Sequence, residues 1–346
     1  MNRRTNGPRS RLYDSCLKSG RVGRTLRAIQ MIAQHHLSRR GFLVSSAAFL
    51  LATKLDAADR GAETAEPIID IHQHTNYSGR TEEQLIAHQK AMGVTLTILL
   101  PAGSPVDRPS THEGKSNGLA AKCGGNQTVV ELAKAHPKEY RFFANEVPDL
   151  PEAPQELEKY LKSGAIGIGE QKFGVACDSK ELHRIAEIAQ EFGAPVLMHF
   201  QHEMYNTGIE NFHKTLEKFP KVNFIGHAQA WWGNIDKNHD QKVMYPTTKV
   251  TPGGITDRLL SDYPNMFGDM SAGSGLNSLV RDEDHARGFL NRHQDKLLFG
   301  SDCSDIIGRG PGCQGANILA GIRRLAPNKK AERKILYENA RKLMKL

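Results

Sequence analysis

Several familiar signatures are missing from this chain. Its 346 residues include only 5 cysteines, Cys16, Cys123, Cys177, Cys303 and Cys313, with no C-x-x-C pair. That density is far below a disulfide scaffold, so the fold does not depend on disulfides, although export would permit them. No G-x-G-x-x-G follows an early strand-like run and no P-loop pattern occurs, which weighs against a nucleotide-binding open sheet. No apolar run reaches the ~20 residues that cross a bilayer. Tryptophan is scarce too, with only Trp231 and Trp232.

The formal charge of +8 is unevenly placed. Residues 1–58 hold 11 Lys and Arg against Asp14 and Asp56, whereas the remaining chain carries 35 basic against 36 acidic side chains. The basic character therefore belongs to the leading segment, and the rest gives no support for nucleic-acid binding. In that segment Ser38-Arg39-Arg40-Gly41-Phe42-Leu43 sets two arginines before an apolar run, Phe42 to Ala52. The run is too short to span a membrane and suits a signal-peptide core, so stable membrane insertion is not expected. The paired arginines resemble a twin-arginine export signal, which implies a twin-arginine machinery as partner and a periplasmic or extracellular destination. Cleavage is expected near Leu55–Ala58, and Met31 would give a leader of more usual length. An uncleaved basic arm is the alternative. The organisation predicted is a leader over 1–58, a linker over 59–66 and one domain over 67–346.

Within that domain short apolar runs alternate with amphipathic stretches. The runs are Ile68–His72, Leu96–Leu100, Tyr140–Val147, Ala165–Gly169, Pro195–Phe200, Val222–His227, Met266–Met270 and Lys296–Gly300. Helices are predicted between them, at Thr81–Met92 and at Ser179–Phe192, and a closing helix on the outside of the barrel at Lys329–Leu346. Strands apolar throughout indicate a parallel sheet covered on both faces. Eight such units in about 280 residues match an α/β fold of the (β/α)8 TIM-barrel type, with a doubly wound sheet as the alternative. The connection from His227 to Asp257 is long for this fold, as binding loops often are.

In such barrels the chemistry sits at the carboxyl ends of the strands. Those ends carry His72 and His74, Glu170, His199, His227 and Asp302. Residues i and i+2 of a strand point the same way, so His72 and His74 can share one ion. An isolated H-x-H is a weak signal, because hydrogen-bonded core histidines are commoner. Six ligand-type residues at the ends of five strands are far more specific. Imidazoles with carboxylates suit Zn²⁺, and also Mn²⁺, Fe²⁺ or Co²⁺.

The order H-x-H, Glu, His, His, Asp resembles the amidohydrolase superfamily of metal-dependent hydrolases. Ile69-Asp70-Ile71-His72-Gln73-His74 resembles its first-strand signature and Phe299-Gly300-Ser301-Asp302 its eighth. Leu336-Tyr337-Glu338-Asn339-Ala340 is similar to the closing helix of the amidohydrolase-related (amidohydrolase 2) branch, which holds aminocarboxymuconate semialdehyde decarboxylases and lactonases. Ile168-Gly169-Glu170 and the run into His199 also resemble TatD-type hydrolases. Many members place a carboxylated lysine at the fourth strand to bridge two metals; here Glu170 stands there, two residues before Lys172. With Glu170 as a ligand the site holds two ions. Without it, the resemblance implies one ion on His72, His74, His199 and Asp302, with His227 as an acid–base group and Glu170 paired to Lys172.

The expected chemistry is hydrolysis of an ester, lactone or amide of a small molecule by metal-activated water. Asp302 would move the proton, and His227 would steady the oxyanion or orient the water. Non-oxidative decarboxylation of a small acid is the runner-up, ahead of a TatD-like nuclease or a non-catalytic binding barrel. For the substrate, Trp231 and Trp232 offer an aromatic platform or simply loop packing. The segment Gly273-Ser274-Gly275-Leu276-Asn277 lies where barrels often bind phosphate or carboxylate, bringing Asn277 forward. Arg309 offers a carboxylate clamp, or is a solvated arginine. His112, Glu113 and His202 receive no role. A homo-oligomer is compatible with the sequence.

Overall fold

The structure, a computed structural model, describes residues 66–112 and 122–346. The predicted leader, with its paired arginines, Cys16, Met31 and the cleavage region, lies outside the described residues, as do Glu113 and the linker up to residue 65.

Eight strands follow in chain order: β1 (Ile69–Gln73), β2 (Leu96–Leu99), β3 (Tyr140–Phe142), β4 (Ile168–Gln171), β5 (Val196–His199), β6 (Phe224–His227), β7 (Met266–Asp269) and β8 (Leu297–Leu298). They pair in parallel as β1-β2-β3 and β4-β5-β6-β7-β8. Two seams close the ring. A bridge between Ala144 and Ile168, with Ala144 N–H donating to Gly167 O at 2.9 Å, joins β3 to β4. Ile71 N–H to Phe299 O at 3.0 Å and Asp302 N–H to His72 O at 2.9 Å join β1 to β8. The barrel is therefore a (β/α)8 barrel, as predicted.

Local sequence sets the helices between the strands. Helix α1 (Glu82–Met92) starts at a reciprocal Thr81–Gln84 capping box and stops at Gly93, whose φ of 79° suits glycine. Helices α2 (Asn126–Ala135) and α3 (Ala153–Lys162) follow β2 and β3. Helix α4 (Lys180–Phe192) is capped by Ser179 and buries Leu182, Ile185, Ala186, Ile188 and Ala189, the face that the spacing predicts. The later helices are α5 (Phe212–Lys218), α6 (Gln229–Gly233), α7 (Ile255–Asp262), α8 (Ala272–Val280), α9 (Glu283–His293), α10 (Gln314–Leu325), α11 (Lys329–Arg333) and α12 (Asn339–Leu343).

Apolar side chains form two layers. Val196, Met198, Phe224, Met266 and Leu297 face outward onto the helices. Ile69, Ile71, Ile98, Leu100, Phe143, Leu197, Ile225 and Leu298 fill the barrel interior. Ala340, Leu343 and Met344 belong to that interior cluster, so the chain's last segment closes the barrel floor rather than lying on its outside. Nor is it one regular helix: Lys334–Glu338 is a π-helical turn whose Ile335 carbonyl accepts from Phe299 N–H at 3.1 Å. That bond also explains why β8 is shorter than predicted, since Phe299 N–H is drawn away from the sheet. Strand β3 ends early because Asn145 N–H donates to the Asn126 side chain at 3.0 Å instead of a strand. The glycine-rich segment after β7 is helical, forming most of α8, and not a loop.

Candidate metal centre

The two β1 histidines reach the barrel mouth by an irregularity. Ile69 and Ile71 point into the interior, so regular alternation would turn His72 and His74 outward. The β1–β2 register shifts between Asp70 and Gln73, and a bulge of this kind re-aims side chains. Asp70 holds it in place. Its carboxylate accepts from His72 N–H at 3.0 Å, Ser301 N–H at 2.9 Å, Gln89 Nε2 at 2.9 Å and the Ser301 hydroxyl. Strand β4 has a similar shift between Ile168 and Gln171, which turns Glu170 inward although Ile168 faces the helices. In β5 and β6 plain alternation suffices, carrying Leu197 to His199 and Ile225 to His227. Asp302 follows β8 with φ at +40°, a left-handed backbone that is rare for a non-glycine residue and concentrated at functional sites. Gly300 leaves room for β1 and for the end of β7, since a Cβ there would stand 2.9 Å from both His72 Cβ and Ser271 Cβ.

All six predicted residues meet. His72 Nε2 and His74 Nε2 are 3.3 Å apart. Each lies 3.5 Å from Glu170 Oε2, and they lie 3.8 and 3.6 Å from Asp302 Oδ1. A tetrahedral ion with ligands at about 2.0–2.2 Å has donor–donor edges of about 3.3–3.6 Å, which these separations approach. On the other side His227 Nε2 lies 3.7 Å from Glu170 Oε1 and 3.5 Å from Asp302 Oδ2, while His199 Nδ1 hydrogen-bonds Glu170 Oε1. Glu170 thus presents one oxygen to the β1 pair and the other to the β5–β6 pair.

The donor set fits a divalent cation. His74 Nδ1 donates to the Leu100 carbonyl at 2.8 Å, which leaves Nε2 with a free lone pair. His72 Nδ1 faces Asp269 Oδ2 at 2.6 Å, and His227 Nδ1 faces Ser271 Oγ at 2.9 Å and Asp269 Oδ2 at 3.2 Å. Partners of this kind orient metal-binding imidazoles. Glu170 Oε2 and Asp302 Oδ1 are buried with no hydrogen-bond partner, a cost that a bound cation would relieve.

The electrostatics agree. Burial opposes charge on Glu170, but Lys172 and His199 hold its carboxyl well below the usual range. Burial likewise opposes charge on Asp302, and His72, His227 and His74 outweigh it. Burial would keep His72 neutral, yet Asp302 and Asp269 lift it well above the usual imidazole value. Burial, reinforced by Lys172, pushes His199 down to about 4, so it stays neutral and able to ligate. The charge of Asp302, then burial, raises the Tyr77 phenol, whose ring packs 5.0 Å from that of His74.

The remaining predicted residues do not join the cluster. Trp231 and Trp232 are 0% and 2% exposed. Helix α6 follows β6 at once and tucks both rings into the layer outside the barrel, where Trp231 stacks on Phe200 at 5.9 Å. Gly226 leaves the space, since a Cβ there would sit 2.6 Å from Trp231 Cε2. Trp232 Nε1 donates to Asp269 O at 2.9 Å. Neither ring offers a face to a substrate, and the packing alternative is what the structure holds. Asn277 Nδ2 donates to Pro246 O at 3.1 Å and tethers the long connection after β6. Arg309 is exposed in its loop. Glu170 and Lys172 act on each other through space, because the carboxylate oxygens face the histidines.

Four side chains escaped the sequence reading: Asp70, Asp269, Ser271 and Tyr77. Asp269 had a usable signal, being a carboxylate at the end of the seventh strand, the position where the other strands carry donors. A cavity of about 630 Å³ lies on the rim, lined by Gln201, His202, Asn206, Ile209, Glu210 and Gln241 among others. Gln201 connects it to the cluster, with Oε1 3.2 Å from His199 Nε2. No helix among the described residues is long and apolar enough to cross a membrane.

Comparison with known proteins identifies the family and the fold. The model of the family described as Amidohydrolase matches residues 69–346. The uncharacterised TIM-barrel protein Bb4693 from Bordetella bronchiseptica is 16% identical over 81% of this chain and 98% of its own, with a TM-score of 0.55. A 2,6-dihydroxybenzoate decarboxylase from Rhizobium is 14% identical over 81% and 99%, with a TM-score of 0.53. A probable 2-pyrone-4,6-dicarboxylic acid hydrolase from Acinetobacter baumannii is 13% identical over 81% and 99%, with a TM-score of 0.52. At such identities these structures share the fold. No curated protein sequence matches the chain.

Proposed function

The chain belongs to the amidohydrolase family, and from that premise we propose that it is a metal-dependent hydrolase that cleaves an ester, lactone or amide bond of a small molecule. The observation that carries this reading is Glu170, buried between the two histidine pairs with Oε2 lacking any hydrogen-bond partner. A carboxylate so placed suits a bridge between two ions, one held with His72, His74 and Asp302, the other with His199 and His227. A bound divalent ion supplies a water whose pKa falls from 15.7 to about 7 and polarises the substrate carbonyl; Zn²⁺ suits the imidazole-rich donor set best, with Mn²⁺, Fe²⁺ or Co²⁺ as alternatives.

The side chains divide the remaining work. Asp302 takes the proton as water adds to the acyl carbon and returns it to the departing oxygen or nitrogen. The hydroxyl then ends on the acid product and the hydrogen on the alcohol or amine. Tyr77, its phenol kept protonated beside Asp302, donates a hydrogen bond to the substrate. Lys172, at the mouth and 5.8 Å from the Tyr205 ring centre, attracts an anionic part of the substrate, so carboxylated lactones or esters are favoured. The paired arginines of Ser38–Leu43 support export by a twin-arginine route to the periplasm or beyond.

The test is an activity screen on metal-depleted protein. Zn²⁺ or Mn²⁺ should restore hydrolysis of carboxylated esters or lactones, with no CO₂ released. Metal-restored CO₂ release from a carboxylated aromatic acid, without hydrolysis of any ester, lactone or amide, would replace hydrolysis by decarboxylation.

A further inference from the structure

A second cluster of metal-ligand side chains lies beside Asp302, separate from the one in the mouth. His88 on α1, Cys303 directly after Asp302 and Cys313 just before α10 bring their donor atoms within 4.8 Å of one another, all buried. Cys303 Sγ and Cys313 Sγ are 3.9 Å apart. Cys313 Sγ is 3.4 Å from His88 Nε2, and Asp305 Oδ2 is 3.8 Å from the same nitrogen. Cys303, Asp305 and Cys313 lie within one short segment, but His88 on α1 is far away in sequence, so local chain geometry alone does not bring it to the two sulfurs.

We propose that His88, Cys303, Cys313 and Asp305 form a structural binding site for a thiophilic divalent cation, Zn²⁺ in the first instance. Tetrahedral Zn²⁺ with Zn–S about 2.3 Å and Zn–N about 2.0–2.1 Å separates two sulfurs by about 3.8 Å and a sulfur from a nitrogen by about 3.5 Å. The observed 3.9 and 3.4 Å match both edges. Two thiolates and an imidazole select zinc-like ions over harder ones. Asp305 is the outermost donor, 18% exposed, and gives the ion a path from solvent. Its carboxylate is already fixed by Ile307 and Gly308 N–H at 2.9 and 2.7 Å.

The site has a structural consequence for the catalytic mouth. Cys303 O accepts from Arg80 Nη1 at 2.7 Å and from Gln73 Nε2 at 3.1 Å. Arg80 Nη2 also hydrogen-bonds Gln73 Oε1 and lies 3.3 Å from His74 O. An ion that anchors Cys303 to α1 therefore fixes the backbone on either side of Asp302 and His74. The inference does not depend on which reaction the mouth performs.

The test uses the full chain, reduced, metal-depleted and titrated with Co²⁺. The mouth cluster contains only nitrogen and oxygen donors, so thiolate-to-cobalt charge transfer in the near ultraviolet reports on the second site alone. The band should appear in the native protein, vanish in Cys313→Ser and in Cys303→Ser, and persist in Cys123→Ser. Zinc content should fall by one equivalent in Cys313→Ser. Absence of the band in the folded native protein, or its survival in both Cys313→Ser and Cys303→Ser, overturns the proposal. So does a Cys303–Cys313 disulfide that, once reduced, still yields no band, which would make the pair a redox couple instead.

Discussion

Two pairs of strands deliver ligand-type side chains to the same point by different means. In β5 and β6 the pleat does it unaided: Leu197 and Ile225 lie in the interior, and His199 and His227 follow two residues on. In β1 and β4 the pleat would send the side chains the wrong way, and register shifts bring His72, His74 and Glu170 inward. The regular pair is held by apolar packing against α6 and its tryptophans. In the irregular pair β1 is held by a buried polar clamp centred on Asp70, and β4 by Asn145, whose Nδ2 donates to Glu170 O at 2.9 Å and whose Oδ1 accepts from Gln171 Nε2 at 2.7 Å. Fold stability and ligand aim thus rest on different residues, and substitutions should separate them.

Trp231→Ala attacks the regular side and should show the largest effect. Removing this buried indole should cost about 3–5 kcal/mol in denaturant unfolding, while the metal content of the folded fraction stays unchanged. A rise in KM without loss of stability would instead restore the aromatic-platform reading. Asp70→Asn attacks the irregular side. It should cost about 2–3 kcal/mol, since an amide nitrogen faces donors where a carboxylate accepted several, and metal affinity should fall with it. Asp269→Asn leaves both strands in place but loosens the imidazoles of His72 and His227. Metal affinity should drop about 10–100-fold, read by competition with a chelator, with little change in unfolding midpoint of the metal-free protein.

Acid should weaken metal binding next. In the metal-free protein His72 and His227 are raised above the ordinary imidazole value, so an ion must displace their protons. Affinity should therefore fall as pH drops through those raised values, by about tenfold per pH unit for each proton displaced. Arg309→Ala should do least, changing stability by less than about 0.5 kcal/mol and leaving KM unaltered.

The contrast also explains what the sequence disclosed. Apolar runs alternating with amphipathic ones marked the barrel, and Thr81 and Ser179 marked helix starts, because these signals are local. The meeting of His72, His74, Glu170, His199, His227 and Asp302 was legible because barrel geometry brings strand ends together whatever each strand's detail. The bulge at Asp70 was not legible, since Ile68–His72 read as one apolar run with no mark of an irregularity and the clamp is made with Ser301, far along the chain. Asp269 was missed although its strand-end position signalled it. The tryptophans misled because proximity to His227 in sequence says nothing about which side of the sheet a helix covers. The closing segment misled because its apolar face fits a helix on the barrel's outside as well as one under its floor.

The most direct measurement is the metal content of Cys313→Ser protein, which removes the sulfur cluster, beside the same protein carrying Glu170→Gln. A bridging Glu170 predicts two equivalents in the first and one in the second, with hydrolytic activity lost in the second. One equivalent in both, with activity retained, would contradict it and leave Glu170 as a hydrogen-bond partner of His199 rather than a bridge.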